Sequence, residues 1–106
     1  MKTIKSKKEF GRVFRSGRRF NSPLVRIAIA ECDEGDQGKV AFVAAKRLGN
    51  AAFRNRCKRV LREAARSLDL SGYNKDIILF ATKATHDSHP DEVAVGLSNL
   101  IGKGGR

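Results

Sequence analysis

The stretch KRLGNAAFRNRCKRVLREAAR, residues 46–66, predicts the longest helix of the sequence and its most basic one. Counting about 100° per residue from Phe53 places five more apolar side chains within an arc of about 100°, the width of a core-facing helix stripe. They are Cys57, Val60, Leu61, Ala64 and Leu68. The pattern therefore predicts a helix from Ala51 to Leu68 that packs along one side on a hydrophobic core.

The opposite side of this helix is basic. Residues 46–66 contain eight Lys or Arg and one acidic residue, whereas a solvated helix face usually mixes both signs because like charges four positions apart repel. Guanidinium groups bind phosphate oxygens in pairs, and the Gly49-Asn50 turn presents backbone N–H groups to an anion. The pattern predicts a phosphate-binding face with no device for reading base edges. Its side chains are Arg54, Asn55, Arg56, Lys58, Arg59, Arg62 and Arg66.

The charge of the whole chain indicates the same kind of partner. Its 106 residues suffice for one compact domain and carry a net charge of +11, with 18 of the 22 Lys and Arg in residues 1–66. This localised excess favours a nucleic acid over an acidic protein or a membrane surface. The apolar run Leu24–Ala30 is short and contains Arg26, so we expect no membrane span and no signal peptide.

The N-terminal residues predict a short helix. Ser6 and Glu9 have the spacing of a capping box, and the apolar residues that follow have helical spacing, so a helix is expected from Lys7 to Arg15. Phe10 and Phe14 lie one turn apart in it among basic residues. They are either stacking platforms for unpaired bases or ordinary core residues, and the pattern leaves both interpretations open.

Alternating apolar residues predict the strands. Val25, Ile27 and Ile29 alternate, a polar turn follows at residues 33–38, and a second apolar run covers residues 40–45. This arrangement predicts an antiparallel pair of strands. A further short strand at residues 18–21 is more weakly indicated.

The C-terminal third predicts one strand and one helix. Residues 75–83 contain an apolar run typical of a buried strand. Pro90 is tolerated in the first turn of a helix, and Gly102 is expected to end that helix. The glycine-rich residues 102–106 are expected to form a flexible tail.

Catalytic machinery is hard to find in the sequence. His86 and His89 flank Asp87, but this spacing is common by chance and has no cysteine or glutamate support for a metal site. No glycine-rich nucleotide loop occurs, and the acidic residues of the basic region are too few to hold a metal pair. Cys57 is expected in the core, where a thiol is inert. Cys32 and Cys57 are interpreted as reduced thiols of a cytoplasmic protein.

The signature residues resemble those of a known family. Lys46-Arg47-Leu48-Gly49-Asn50-Ala51, followed by Arg54-Asn55-Arg56-x-Lys58-Arg59-x-x-Arg62-Glu63, closely resembles the signature of the bacterial ribonuclease P protein subunit. The N-terminal helix with two phenylalanines and the elements around the signature match as well. The resemblance covers essentially the whole chain.

The order of the predicted elements describes an α+β fold with helices against a small sheet, and the resemblance implies a single domain over residues 1–106 that binds RNA. Its order is α-β-β-β-α-β-α, a central, mostly antiparallel four-stranded sheet with helices packed on it. The signature helix lies in a βαβ crossover between parallel strands.

The resemblance also implies the function. In this family a catalytic RNA removes the 5′ leader from precursor tRNA with magnesium held mainly by RNA, and the protein binds no cofactor alone and is not itself the catalyst. The expected partners are the catalytic RNA and the precursor tRNA, with no DNA and no membrane. The implied contacts to the catalytic RNA are Gly49, Asn50, Arg54, Asn55, Arg56, Lys58, Arg59, Arg62 and Arg66. The implied leader cleft contains Phe10, Phe14, Arg15, Lys46 and Arg47.

One departure and two alternatives remain at this point. Arg26 and Ile27 stand where some relatives offer an aromatic side chain to the cleft, which puts base stacking there in doubt. A ribosomal or other structural RNA-binding protein would explain the charge equally well. A DNA-binding helix-turn-helix module would require a short helix directly before residue 51, where the sequence instead predicts a strand and a turn.

Overall fold

The computed structural model describes residues 2–32, 38–68, 70 and 74–104, and within these ranges the chain forms five strands and four α-helices. In chain order they are β1 (Lys2–Thr3), α1 (Lys7–Ser16), β2 (Arg18–Asn21), β3 (Val25–Glu31), β4 (Lys39–Val43), α2 (Ala51–Ser67), β5 (Lys75–Ala81), α3 (Lys83–Asp87) and α4 (Pro90–Gly104). A 3₁₀ turn, Lys46–Leu48, lies between β4 and α2.

The strands form one mixed sheet in the order β1-β4-β5-β3-β2. β1 and β5 run parallel to β4, whereas β3 is antiparallel to β5 and to β2. Because α2 connects the parallel neighbours β4 and β5, it lies in the predicted βαβ crossover. The α+β class is therefore confirmed.

Two expectations about the sheet, one on strand pairing and one on strand number, differ from the structure. The predicted direct pairing of the strands at residues 25–31 and 39–43 is wrong because β5 lies between them, so that Ile77 is the partner of both Ile29 and Val40. The sheet has five strands and equal numbers of parallel and antiparallel pairs, whereas four mostly antiparallel strands were expected. β1 was missed because two residues are too few to show an alternating pattern. The predicted turn falls largely on residues 33–37, which lie outside the described residues.

β5 is buried on both faces of the sheet. Ile77 and Leu79 face a core that α2 and α4 complete, with Leu61 and Leu97 fully buried in it. Ile78 faces the other side, where α1 contributes the fully buried Val13. Truncating a fully buried Leu or Ile to Ala costs about 2–5 kcal/mol, so both layers of helices contribute to the stability of this strand.

Asp76, at the start of β5, attaches α1 to the sheet. Its carboxylate is 4% exposed, forms a salt bridge with Arg12 of α1 and accepts a hydrogen bond from the backbone N–H of Lys39 at 2.9 Å. Arg12 also donates to the carbonyl of Glu31 at 3.0 Å. A buried carboxylate needs such partners, and here they join α1, β3, β4 and β5.

The C-terminal elements differ in detail from the prediction. The strand expected to reach residue 83 ends at Ala81, because Thr82 and Thr85 form a capping box that starts the short helix α3. The prediction that the last helix ends at Gly102 is wrong, since α4 continues through Gly104. Residues 105 and 106 lie outside the described residues, and the flexibility of the tail stays a prediction.

Replacing Asp76→Asn should destabilise the domain by about 1–3 kcal/mol, because the buried side chain at position 76 loses its charge-assisted bond to Arg12. Urea unfolding measures this loss. The matched control is Glu9→Gln, which removes the more exposed pair with Lys39 and should cost less than about 1 kcal/mol. Equal stability of the two variants would show that Asp76 does not hold α1 in place.

Candidate nucleic-acid interface

The Gly49-Asn50 turn sets the start of α2. The side-chain oxygen of Asn50 accepts a hydrogen bond from the N–H of Phe53 at 2.9 Å, the geometry of an N-cap. A Cβ at position 49 would lie 2.9 Å from Cγ of Phe53, so only glycine fits without a shift. Both residues are exposed. Their local role is to begin the helix, and their predicted contact with RNA stays a prediction.

One side of α2 packs on the core as predicted. Its buried residues are Cys57, Val60, Leu61, Ala64 and Ala65. Burial raises the pKa of the Cys57 thiol, Asp87 raises it further, and Arg56 opposes both effects. The thiol therefore stays protonated and inaccessible, which agrees with a structural role.

The basic residues of α2 differ in exposure. Of the predicted phosphate-binding face, Arg54 and Lys58 are half-buried, whereas the neutral Asn55 and four arginines are exposed: Arg56, Arg59, Arg62 and Arg66. These five exposed residues form the outer face of α2.

Two arginines of the outer face are held by neighbouring elements. The guanidinium of Arg62 lies over the ring of Phe42 at 5.5 Å from its centroid. Arg56 donates from Nε to the carbonyl of His86 at 2.8 Å. Such contacts restrict long side chains before any ligand binds and lower the entropic cost of ordering them.

His86 lies in α3 and not in a loop. Its ring stacks on that of Phe53, with centroids 4.1 Å apart and planes 2° from parallel, and its Nδ1 lies 2.7 Å from a carboxylate oxygen of Asp87. Across the residues that the structure describes, no group of three or more His, Cys, Asp or Glu lies close enough to hold a metal ion.

A second basic surface lies on the opposite face of the sheet. There α1 covers only part of the sheet, and beside its C-terminal end lies a cleft of about 360 Å³. Its described lining includes three arginines and two phenylalanines. The lining residues are Phe14, Arg19, Asn21, Arg26, Ile27, Val43, Ala45, Arg47, Phe80 and Ala81.

The two phenylalanines of α1 have different surroundings. Phe14 is 40% exposed and meets Phe80 edge to face, with centroids 6.0 Å apart. Phe10 is half-buried, packs against the Ile78 side of the core and stacks on Phe14 at 6.1 Å. Phe14 therefore offers ring surface in the cleft, whereas Phe10 supports it from behind.

The structure brings only some of the predicted cleft residues together. Phe14 and Arg47 line the cleft, whereas Lys46 and Arg15 are exposed and are not part of its lining. Arg26 is exposed at the cleft, but the side chain of Ile27 packs in the core with α2 and α4.

The sequence prediction missed Arg19, Asn21 and Phe80, which also line the cleft. Strand alternation would have found the first two, since Arg19 pairs with Ala28 and Asn21 with Arg26 on the face away from α2. Finding them in this way requires the pairing of β2 with β3 to be known, and the sequence indicates the short strand at residues 18–21 only weakly.

A family model described as Ribonuclease P matches residues 1–104. The chain belongs to the ribonuclease P protein family. A Ribonuclease P protein component from Oceanobacillus iheyensis is 30% identical over 105 residues, covering 96% of this chain and 85% of that protein. Another, from Gluconacetobacter diazotrophicus, is 36% identical over 66 residues, covering 62% of this chain and 57% of that protein.

Solved structures agree with this assignment. The RNase P protein of Staphylococcus aureus superposes with a TM-score of 0.79 at 25% identity, covering 95% of this chain and 93% of that one. The RNase P protein of Thermotoga maritima shares the fold, with a TM-score of 0.76 at 20% identity and coverage of 95% and 96%.

Membership in the ribonuclease P protein family gives the chain RNA partners and a role in a ribonucleoprotein endonuclease of tRNA processing. The helix-turn-helix alternative is wrong, because a strand and a 3₁₀ turn precede α2. Among the described residues, no helix is both long and apolar enough to cross a membrane.

The double variant Arg59→Ala/Arg66→Ala should weaken RNA binding without unfolding the protein, since both side chains are exposed on the outer face of α2. If each side chain contacts one phosphate, the plot of log affinity against log salt should become less steep, and the magnitude of its slope should decrease by about 1.4–1.8. Filter binding at several salt concentrations measures this slope with a ribonuclease P RNA.

The control is Lys83→Ala/Lys103→Ala, which removes the same charge from α3 and α4. It should leave the slope almost unchanged. Equal slopes for the two double variants would mean that net charge, and not the outer face of α2, determines binding.

Proposed function

We propose that the chain is the protein subunit of a bacterial-type ribonuclease P that binds two RNAs at once. The catalytic RNA binds the outer face of α2, and the single-stranded 5′ leader of precursor tRNA binds the cleft beside α1. The RNA carries out the cleavage. The observation that carries this proposal is the exposed Phe14 among Arg19, Arg26 and Arg47, on the sheet face opposite α2.

The outer face of α2 suits the backbone of a folded RNA. Arginines along a helix match phosphate oxygens bidentately, and phosphate contacts position an RNA without reading its sequence. Arg56 and Arg62 are already oriented by His86 and Phe42. These features support the assignment of the predicted contacts to the catalytic RNA.

The cleft suits a single strand better than a duplex. Unpaired bases expose their ring faces, and stacking of a base on an aromatic side chain is worth about 1–3 kcal/mol. Phe14 and Phe80 give the cleft an aromatic lining, and Arg26 and Arg47 offer partners for the phosphates between bases. A volume of about 360 Å³ accommodates a short segment of one strand.

The role of the protein follows from its charge. Two polyanions repel when they approach, and a domain with a net charge of +11 between them screens that repulsion. The basic character of both surfaces disfavours a bound cation on the protein, so the magnesium of the holoenzyme is assigned mainly to the RNA. On this proposal the protein acts in the cytoplasm, where precursor tRNA is made.

The experiment that tests the function is cleavage of precursor tRNA at low magnesium. A bacterial ribonuclease P RNA is assayed alone and with this protein, and the protein is assayed alone. Only the combination should cut efficiently at the mature 5′ end, because only then is the repulsion screened and the leader bound.

A protein that leaves the rate of the RNA unchanged would contradict the proposed function. Cleavage by the protein alone would contradict the assignment of the chemistry to the RNA.

A further inference from the structure

Arg19 is held in the cleft by the fold of the sheet. β2 pairs with β3 so that Arg19 lies opposite Ala28 and Phe20 opposite Ile27. Ile27 packs in the core with α2 and α4, together with Phe20. Because side chains alternate along a strand, Arg19 lies on the other face, where it lines the cleft and is exposed.

Two contacts fix the guanidinium of Arg19 against Phe14. Its Cζ lies 4.2 Å from the centroid of the Phe14 ring, within the range of a cation–π contact. Its Nη2 donates to the carbonyl oxygen of Phe14 at 2.8 Å. That carbonyl belongs to the last turn of α1, where carbonyls lack helical partners and attract cations.

These contacts change what a ligand meets at Phe14. The guanidinium covers one face of the ring, Phe80 contacts Phe14 edge to face, and Phe10 stacks on it. A guanidinium is planar and has two faces, and arginine side chains stack on aromatic systems through either one. Because Arg19 is exposed and lines the cleft, its guanidinium is accessible to a ligand there while it contacts Phe14.

We propose that Arg19 binds a nucleobase of single-stranded RNA by stacking of its guanidinium on the base, beside the Phe14 ring that holds it. This inference rests on the proposed function and names the residue that the leader base meets. Arg26 and Arg47 then contact the flanking phosphates. Every base has a π face, so the stacking tolerates all four bases.

The test compares affinities of the assembled holoenzyme for precursor tRNA with a leader and for mature tRNA, with calcium replacing magnesium to slow cleavage. The variants are Arg19→Ala and Arg19→Lys, because lysine keeps the charge but loses the planar face. Both should weaken leader binding by about five- to twentyfold, as expected for one lost stacking layer, and leave mature tRNA binding within about twofold.

Leaders with one abasic nucleotide identify the stacked base. At one leader position, removal of the base should weaken binding to the wild-type holoenzyme about five- to twentyfold. The Arg19→Lys holoenzyme should bind this abasic leader and the intact leader equally well. This comparison does not need the Arg19→Ala variant, so the proposal stays testable if that substitution disturbs the packing of α1.

Arg18→Ala is the matched control. Arg18 is the adjacent arginine and also lies over a phenylalanine, 5.4 Å from the centroid of Phe20, but on the other face of the sheet. Its removal should change leader affinity by less than about twofold, since long-range charge is screened beyond roughly 10 Å.

Wild-type affinity in Arg19→Lys would overturn the proposal in favour of charge alone. An equal loss in Arg18→Ala, or no abasic position that depends on Arg19, would also overturn it. A wild-type holoenzyme with no preference for leader-bearing tRNA would overturn the proposed function as well as the role of Arg19.

Discussion

The requirement that β5 be covered on both faces organises the structure. Residues 76–79 of this strand are buried, and a strand that is apolar on both sides needs a layer of helices on each. α2 and α4 form one layer. On the other side the ten residues of α1, attached through Arg12 and Asp76, cover only part of the sheet. The uncovered remainder is the cleft, so the same constraint that stabilises the core also produces a concave surface.

The arrangement separates two basic surfaces of different character. The outer face of α2 carries exposed arginines, two of which are oriented by neighbouring elements, and such a surface is suited to phosphates. The cleft adds the rings of Phe14 and Phe80 to its arginines, a surface suited to unpaired nucleotides. Because the sheet lies between them, the two surfaces do not overlap, as the proposed binding of two RNAs requires. A basic composition alone would not predict this division, which depends on which sheet face each helix covers.

The sequence predicted local features better than long-range pairing. The apolar stripe of α2, the Ser6 N-cap of α1 and the alternation in β3 depend on residues close in sequence, and the structure confirms them. The second half of the predicted capping box is wrong, because the carboxylate of Glu9 pairs with Lys39. The pairing of the strands was missed because β5 is more than forty residues from β3 along the chain and nothing local indicates that it lies between β3 and β4. The residues of the cleft were predicted only in part, because some of them come together only through the pairing of strands. Phe14 and Arg47 belong to recognisable motifs, whereas Arg19 and Phe80 reach it only through strand register.

The central claim is that two RNAs occupy opposite faces of the sheet, and site-specific cross-linking tests it most directly. A photoreactive group is attached at Arg59→Cys or at Asn21→Cys in a Cys32→Ser background, where Cys57 is buried and does not react. In the holoenzyme with labelled precursor tRNA, position 59 should cross-link to the catalytic RNA and position 21 to the 5′ leader. Cross-links from both positions to the same RNA, or with the partners exchanged, would contradict the account.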